Sequence, residues 1–394
     1  GPVGKKLNLN GSERLDELSS FDSSINDKIG DFFPGLSLNI DIPTPSIADL
    51  FKQGTIKVRE VGTVRQSDFI DMGHGSQRAI QMTLIRHLAE ITKDVAKQGK
   101  TNILLIDEPE LFLHPQAVEL LRSSLKLLSN RGYQIIFSTH SPYMIEQSDI
   151  PITNIIRKNH NGTIVTTRLK EALEQTLLDN DSQARLLFDT YNLGQILFSD
   201  KILIAEGATE KTILPILFNS VIGKTLGEHK LALVIADGAG NIPKMIEILE
   251  KMGISTKGLV DLDFAFTGAV DQGLIEEIDQ GIDSCLTIIQ NIRPVHGFSL
   301  NGRRPCKGNG FKACDVYELM AAESNAIAPI NHIKENMKAH SIWVWSKGAI
   351  EPHLCLETKE NGEWLQFRQK LATDPIESCV HDLGEIRDFF NWCI

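Results

Sequence analysis

The sequence predicts an α/β fold in two parts, each built around a parallel sheet. Three observations lead there. Short apolar runs end in carboxylates: ILLID (103–107), ILIAE (202–206), LALVIAD (231–237) and GLVD (258–261). Between them lie stretches whose apolar residues recur at helical spacing, long enough to cross back over a sheet. Glycines stand at the joints, Gly132 where a helix stops and Gly73 and Gly75 where one starts.

Residues 5–54 are rich in Asn, Ser and Asp, with Pro34, Pro43 and Pro45 around the alternating stretch LSLNIDI (36–42). A helix, a strand and then a loop are expected there. Residues 56–61 and 67–71 suit a hairpin. DMGHGSQR (71–78) leads into AIQMTLIRHLAEI, an expected helix. Gly73, Gly75, Ser76 and Gln77 at its start offer backbone N–H groups and a hydroxyl, a cradle for a phosphate. ILLIDEPE (103–110) reads as a strand running into Asp107 and Glu108, and QIIFSTHSP (134–142) as a second strand running towards His140. A helix over 115–130, ended by Gly132, connects them in parallel. Asp107, Glu108 and His140 then share one edge. From 168 to 198, two amphipathic helices are expected as a linker, with a domain boundary near Asp200.

In the second part, KILIAEGATE, LALVIADG and GLVDLDF each read as a strand that delivers carboxylates to a loop. Ligands of an open parallel sheet bind in the crevice outside the C-terminal strand ends. Glu206, Asp237, Asp261 and Asp263 are therefore expected to converge. Carboxylates at one edge repel one another, and a hard divalent cation such as Mg²⁺ is the reason to assemble them. Metal-dependent phosphoryl transfer follows as the first expectation. Glu210, at the start of the helix after Glu206, is either a further metal ligand or an acid favoured by the helix dipole. SIWVW (341–345) reads as a fourth strand ending in Ser346 and Lys347, whose ammonium suits a scissile phosphate. Asp315, Glu318 and Glu351 are further candidate ligands. The loop GRRPCKGNGFK holds Arg303, Arg304, Lys307 and Lys312 without an acid, and suits DNA phosphates or simply a solvated surface.

These motifs carry resemblances. ILLIDEPE resembles a Walker B motif, in which the first carboxylate holds Mg²⁺ through water and the second directs the attacking water. DMGHGSQR resembles the signature of ABC-type ATPases in its SMC-like and RecF-like form, departing from the commoner Ser-Gly-Gly-Gln wording. Glu206 and Asp261-Leu-Asp263 resemble the metal-binding motif of TOPRIM domains. ATPase before TOPRIM is the order found in the overcoming lysogenization defect (OLD) family of nucleases, some of which belong to anti-phage defence systems. The resemblance covers roughly residues 55–263.

That resemblance implies the C-terminal part of an ABC/SMC-like ATPase domain (1–168), linker helices (169–199) and a Rossmann-like TOPRIM nuclease domain with an insertion (200–394). It implies a two-metal Mg²⁺ or Mn²⁺ endonuclease, with Glu206, Glu210, Asp261 and Asp263 as ligands and Lys347 as a catalytic cation. It also implies an ATP site using Gly75, Ser76, Gln77, Asp107, Glu108 and His140, with Glu108 catalytic. The expected partners are DNA, a second copy of the chain through the ATPase part, and a further subunit in defence systems. The alternative is a RecF/SMC-like DNA-binding ATPase without nuclease activity. Topoisomerase chemistry needs a tyrosine on a further domain, and the tyrosines at 133, 143, 191 and 317 do not supply one. No G-x-x-x-x-G-K-[ST] phosphate loop occurs in the sequence, and Gly1-Pro2 looks like the scar of a removed tag. A chain beginning inside its ATPase domain is expected, with ATP hydrolysis requiring the preceding half.

Composition sets the remaining bounds. With 394 residues, 42% of them hydrophobic, the chain has enough apolar content for two packed domains. Its net charge of −11 excludes nucleic-acid binding by bulk attraction, so DNA contacts must be local. The six cysteines form no C-x-x-C pair, which points to reduced thiols and a cytoplasmic protein rather than a zinc site. No apolar run is long enough to span a bilayer.

Overall fold

The structure, a computed structural model, describes residues 2–29, 36–42, 56–59, 66–91, 102–146, 148–159, 162–176, 195–354, 356 and 361–394. The chain forms two compact units, 1–94 with 111–117, and 95–110 with 118–394. The boundary expected near Asp200 falls within the second.

The first unit holds α1 (Pro2–Leu7), α2 (Asp16–Ile29), the antiparallel hairpin of β1 (Lys57–Arg59) and β2 (Gln66–Asp68), and α3 (His74–Ile91). The stretch 36–42, expected as a strand, is extended chain strapped to α2 instead. Asn26 donates to the Leu38 carbonyl (2.9 Å) and accepts from its N–H (2.6 Å). Asp22 accepts from the Ile40 N–H (2.9 Å), and Arg14 donates to the Ile40 carbonyl (2.6 Å). Polar side chains of α2, with Arg14 just before it, thus take the backbone groups that a neighbouring strand would otherwise satisfy.

The second unit begins with β3 (Asn102–Ile106). The crossover helix α4 (Pro115–Asn130) leads to β4 (Tyr133–Phe137), which pairs with β3 in parallel. Then come the hairpin β5 (Ile156–Asn159) and β6 (Gly162–Val165), and α5 (Leu169–Thr176). Most of the second expected linker helix lies outside the described residues.

The main sheet follows from residue 201. Its strands are β7 (Lys201–Ala205), β8 (Leu231–Ile235), β9 (Ser255–Val260) and β12 (Ile342–Val344), all parallel in the order β12-β9-β7-β8. The helices α6 (Ala208–Ile222), α7 (Ile242–Lys251), α8 (Leu262–Phe266), α9 (Gly268–Asp271) and α10 (Gln280–His296) fall between β7 and the short hairpin β10 (Leu300–Asn301) and β11 (Arg304–Pro305). α11 (Ala313–Ala321) and α12 (Ile327–Lys338) precede β12; α13 (Asn361–Thr373), α14 (Ile376–Cys379) and α15 (Leu383–Cys393) follow it.

Both faces of this sheet are covered, which is why its strands read as continuous apolar runs. Ile202, Ile204, Val234, Val260 and Val344 join one core with α7, α10, α11 and α12. The alternate residues Leu203, Ala205, Leu233, Leu259, Trp343 and Trp345 join the other with α6, α13 and α15. Gly258 lets α7 approach β9: a Cβ there would come within 2.5 Å of the Ile242 side chain. One expectation changes at the end of β9. The strand stops at Val260, Asp261 takes the N-cap position of α8, and Asp263 stands in that helix's first turn. The Asp-Leu-Asp segment thus turns into a helix rather than prolonging the strand, without a cap hydrogen bond from the Asp261 side chain.

Candidate metal centre and nucleotide edge

The sheet register decides which side chains leave together. Ala205 pairs with Ile235, Ile204 with Gly258, and Val344 with Val260, so the four strands end nearly level. Glu206, Asp237, Asp261 and Lys347 all follow that edge. The chain passes from β7 to β8 on one side and then returns to β9 on the other, which makes the β7/β9 boundary the topological switch point. Glu206 and Asp261 flank it. The loops are also tied together: the Gly238 N–H donates to the Glu206 carbonyl (3.1 Å), and the Leu262 N–H to the Gly348 carbonyl (2.6 Å).

Glu206, Asp261 and Asp263 are half-buried, and Asp237 is exposed with a left-handed backbone (φ 51°). A non-glycine residue in that conformation stores strain, of the kind that gathers at functional loops. Glu210 is buried, and its Oε2 accepts the Gly207 N–H (3.0 Å), so it caps α6 from within the first turn. One oxygen serving the cap leaves the other to face elsewhere. The donor set here is all carboxylate, without thiol or imidazole, and fits a hard divalent cation.

Lys347 leaves the edge beside this set. Gly348, next to it, has φ 102°, and a Cβ there would lie 2.4 Å from Glu318 Cγ, so only glycine fits the turn. The sequence reading missed what holds the lysine. Asp382, at the N-cap of α15, accepts from Lys347 Nζ (3.2 Å) through Oδ2 and from the Glu385 N–H (3.2 Å) through Oδ1. Burial acts to raise Asp382, but the Glu385 N–H and the Lys347 ammonium outweigh it and hold the carboxyl below its ordinary range. The motif Asp-Leu-Gly-Glu (382–385) before an apolar run is a helix-start signal, and would have located this turn in the sequence.

Of the other candidates, Asp315 accepts the Lys312 N–H (2.7 Å) and caps α11, while Glu351 is buried. Burial, then the Asp263 charge, push the Tyr317 hydroxyl well above its usual range, with Arg304 acting against them. Asp263 and Arg304 therefore both act on this ring. In the basic loop, Arg303 pairs with Asp283 (2.6 Å) and Arg304 with Glu277 (3.6 Å), while Lys307 is exposed. The described cysteines are free, and Cys355 lies outside the described residues.

The β3–β4 pair builds a second acidic edge. Ser138 donates its hydroxyl to Asp107 and accepts the Glu108 N–H (3.1 Å); His140 Nε2 lies 3.2 Å from Glu108 Oε1. Glu110 accepts from the Thr139 hydroxyl and the His140 N–H (3.1 Å). Asp107, Glu108 and His140 thus stand together, with Glu108 at a strained φ of 40°. In the first unit, Gly75, Ser76 and Gln77 lie in the first turn of α3, as its sequence suggests. The Gln77 amide donates to the carbonyls of Ile70 (3.1 Å) and Met72 (2.9 Å), fixing the turn before the helix.

Among the described residues, no helix is long and apolar enough to cross a membrane.

Comparison with known proteins covers both edges. Residues 5–145 match the family model of an AAA ATPase domain, and residues 197–263 that of an overcoming lysogenization defect protein-like TOPRIM domain. The chain is 34% identical to the Old nuclease of Escherichia phage P2 over 99% of its own length and 67% of that protein's. It is 28% identical to the OLD nuclease of Thermus scotoductus, over 48% of this chain and 36% of that one. It is also 28% identical to the endonuclease GajA of Bacillus cereus, over 39% and 25%. The chain thus spans about a third or less of the latter two.

Proposed function

This chain belongs to the OLD family of nucleases, joining an ATPase domain to a TOPRIM domain, and from that premise we propose that it cleaves DNA with a divalent metal at the β7/β9 edge. The observation that carries the proposal is the switch point itself. It brings Glu206 and Asp261 out on neighbouring strands, with Asp263 in the first turn of α8 and Lys347 in the loop after β12, two segments hydrogen-bonded to each other through Leu262 and Gly348.

Glu206, Glu210, Asp261 and Asp263 are the residues that would hold Mg²⁺ or Mn²⁺, in two sites. When bound, such ions lower the pKa of water and stabilise charge on the scissile phosphate. The chain's own groups do the rest. Lys347 places an ammonium against the phosphate oxygens, where negative charge grows in the transition state. Arg304 and Lys307 extend that positive rim along the DNA backbone, and Arg303 joins them once released from Asp283. The covered sheet keeps the strand ends rigid, so the carboxylates need little reorganisation.

At the second edge, Asp107, Glu108 and His140 would complete an ATP site together with a phosphate loop, which this sequence does not hold. The α3 turn at Gly75, Ser76 and Gln77 serves the site of a second copy, so nucleotide would control assembly and through it cleavage. We place the ATPase part at 1–168, the linker at 169–199 and the nuclease part at 200–394, and expect a cytoplasmic role in anti-phage defence or DNA repair. The test is nicking of supercoiled plasmid in Mg²⁺ or Mn²⁺ by the wild type and Glu206→Ala. Metal-dependent nicking lost in the variant supports the proposal, and wild type that never nicks DNA refutes it.

A further inference from the structure

The turn of α15 that holds Lys347 also holds its neighbour. Glu385 Oε1 accepts from Lys334 Nζ (2.5 Å) and the Ser346 N–H (3.2 Å), and Glu385 Oε2 accepts the Ser346 hydroxyl. With Asp382 on Lys347, two carboxylates one helical turn apart grip two consecutive residues at the end of β12. His353 closes the cluster from behind. It is fully buried, its Nδ1 lies 3.6 Å from Asp382 Oδ2 and 3.8 Å from Glu385 Oε2, and its ring stacks obliquely near Trp345.

Two readings compete. His353, Asp382 and Glu385 bring three possible ligand atoms close together, as a metal site does. The charges speak against it. Each carboxylate already faces an ammonium, Asp382 that of Lys347 and Glu385 that of Lys334, so the cluster is balanced without a cation. All four carboxylate oxygens also accept donors. A metal ion would have to displace a lysine.

We propose that Asp382 is the positioning residue for Lys347, and that α15 is thereby part of the nuclease site. Resting on the reading of Lys347 given above, this explains why a flexible, partly exposed lysine stays at the strand edge. Free Lys347 would sample many rotamers on its four-carbon stem. Asp382 limits them with one charge-assisted bond, and Glu385 fixes the backbone from which the stem departs. Asp382 itself is anchored because its other oxygen caps the helix.

Asp382→Asn isolates the contact. Asparagine is as good a cap as aspartate, so its oxygen can keep the Glu385 N–H while its amide turns a donor towards Lys347. In plasmid nicking with Mn²⁺, Asp382→Asn should lower kcat by roughly 10²-fold, the scale of an ångström-level misplacement. Mn²⁺ binding by calorimetry and the melting curve should stay as in wild type, and Asp382→Glu should recover part of the rate. In a Lys347→Ala background, Asp382→Asn should cost nothing further. Full activity of Asp382→Asn beside an inactive Lys347→Ala would overturn the positioning role while leaving Lys347 in place. Equal losses in both backgrounds would overturn it too, since they mark a merely structural contact. Full activity of Lys347→Ala would instead remove the reading beneath it. One tightly bound transition metal per chain, present in wild type and lost in His353→Gln, would favour the metal reading and overturn the brace.

Discussion

The two parallel strand systems of the second unit end alike and are covered differently. In β7, Leu203, Ile204 and Ala205 are at most 2% exposed, with a hydrophobic core on either face. β3 and β4 pair as regularly, over five residues each, yet Ile103, Leu105 and Ile136 are 60%, 70% and 54% exposed. The tips differ as well. At the covered sheet, lysines answer the carboxylates of α15 beside the candidate metal ligands; at the open pair, a hydroxyl and an imidazole hold Asp107 and Glu108. An apolar run ending in an acid therefore specifies a strand and its polarity, but neither its cover nor its chemistry.

The largest expected effect probes the edge of the covered sheet. Asp261→Ala and Glu206→Ala remove anionic ligands, so each should lower cleavage by roughly 10³-fold or more, with part returning in excess Mn²⁺. Nicking rates measured over a metal titration check this. Cleavage that survives both substitutions would break the comparison by moving the chemistry away from this edge.

A stability contrast sharpens it next. Ile204→Ala empties part of a packed core and should cost about 2–5 kcal/mol, whereas Leu105→Ala, on the open pair, should stay within about 0.5 kcal/mol. Urea unfolding of the two variants gives both values. A large loss at Leu105 would mean that the open face is covered in solution, by a second copy for example.

Much of this was legible because strand-end acids have a strong signature. Glu206, Asp237 and Asp261 fall at an edge wherever apolar runs form parallel strands, and Asp107, Glu108 and His140 come together by the same rule. LSLNIDI misled, because alternation announces an extended chain and says nothing of what pairs with it; Asn26 and Asp22 of α2 supplied that. Asp263 was expected beyond a strand and stands on a helix, since the ladder ends at Val260 and α8 starts at Leu262. Asp382 and Glu385 were legible as a helix start. Their contact with Lys347 was not, because it joins distant segments that only the fold brings together.

A pH experiment tests whether the covered region owes stability to its buried polar cluster. Burial depresses His353 to about 4, with Lys347 and Lys334 acting the same way and Glu385 and Asp382 opposing. In the unfolded chain the ring titrates near about 6.5, so between there and about 4 the unfolded state binds a proton that the native state refuses. Its stabilising contribution is whole above that range and disappears as pH falls through it, a loss on the order of 3 kcal/mol. Urea unfolding at steps from pH 7 to pH 4 should show the decline, and His353→Gln should flatten it. An equally steep curve in the variant would assign the effect to other groups.

The smallest expected effect belongs to the open pair, and it is a null. Asp107 and Glu108 can orient Mg²⁺ and water, but the sequence holds no G-x-x-x-x-G-K-[ST] loop to surround phosphates with backbone N–H groups and a lysine. Most of the affinity for a nucleoside triphosphate comes from that cradle. A pair of carboxylates alone repels the phosphates and reaches them only through a metal ion. Calorimetry of this 394-residue chain with ATP and Mg²⁺ should accordingly give a Kd weaker than about 1 mM, equivalent to less than about 4 kcal/mol of binding energy. Phosphate release should equal the blank. Micromolar binding would break the comparison outright: it would mean that the exposed pair already forms a complete nucleotide site, and that residues other than a phosphate loop grip the triphosphate.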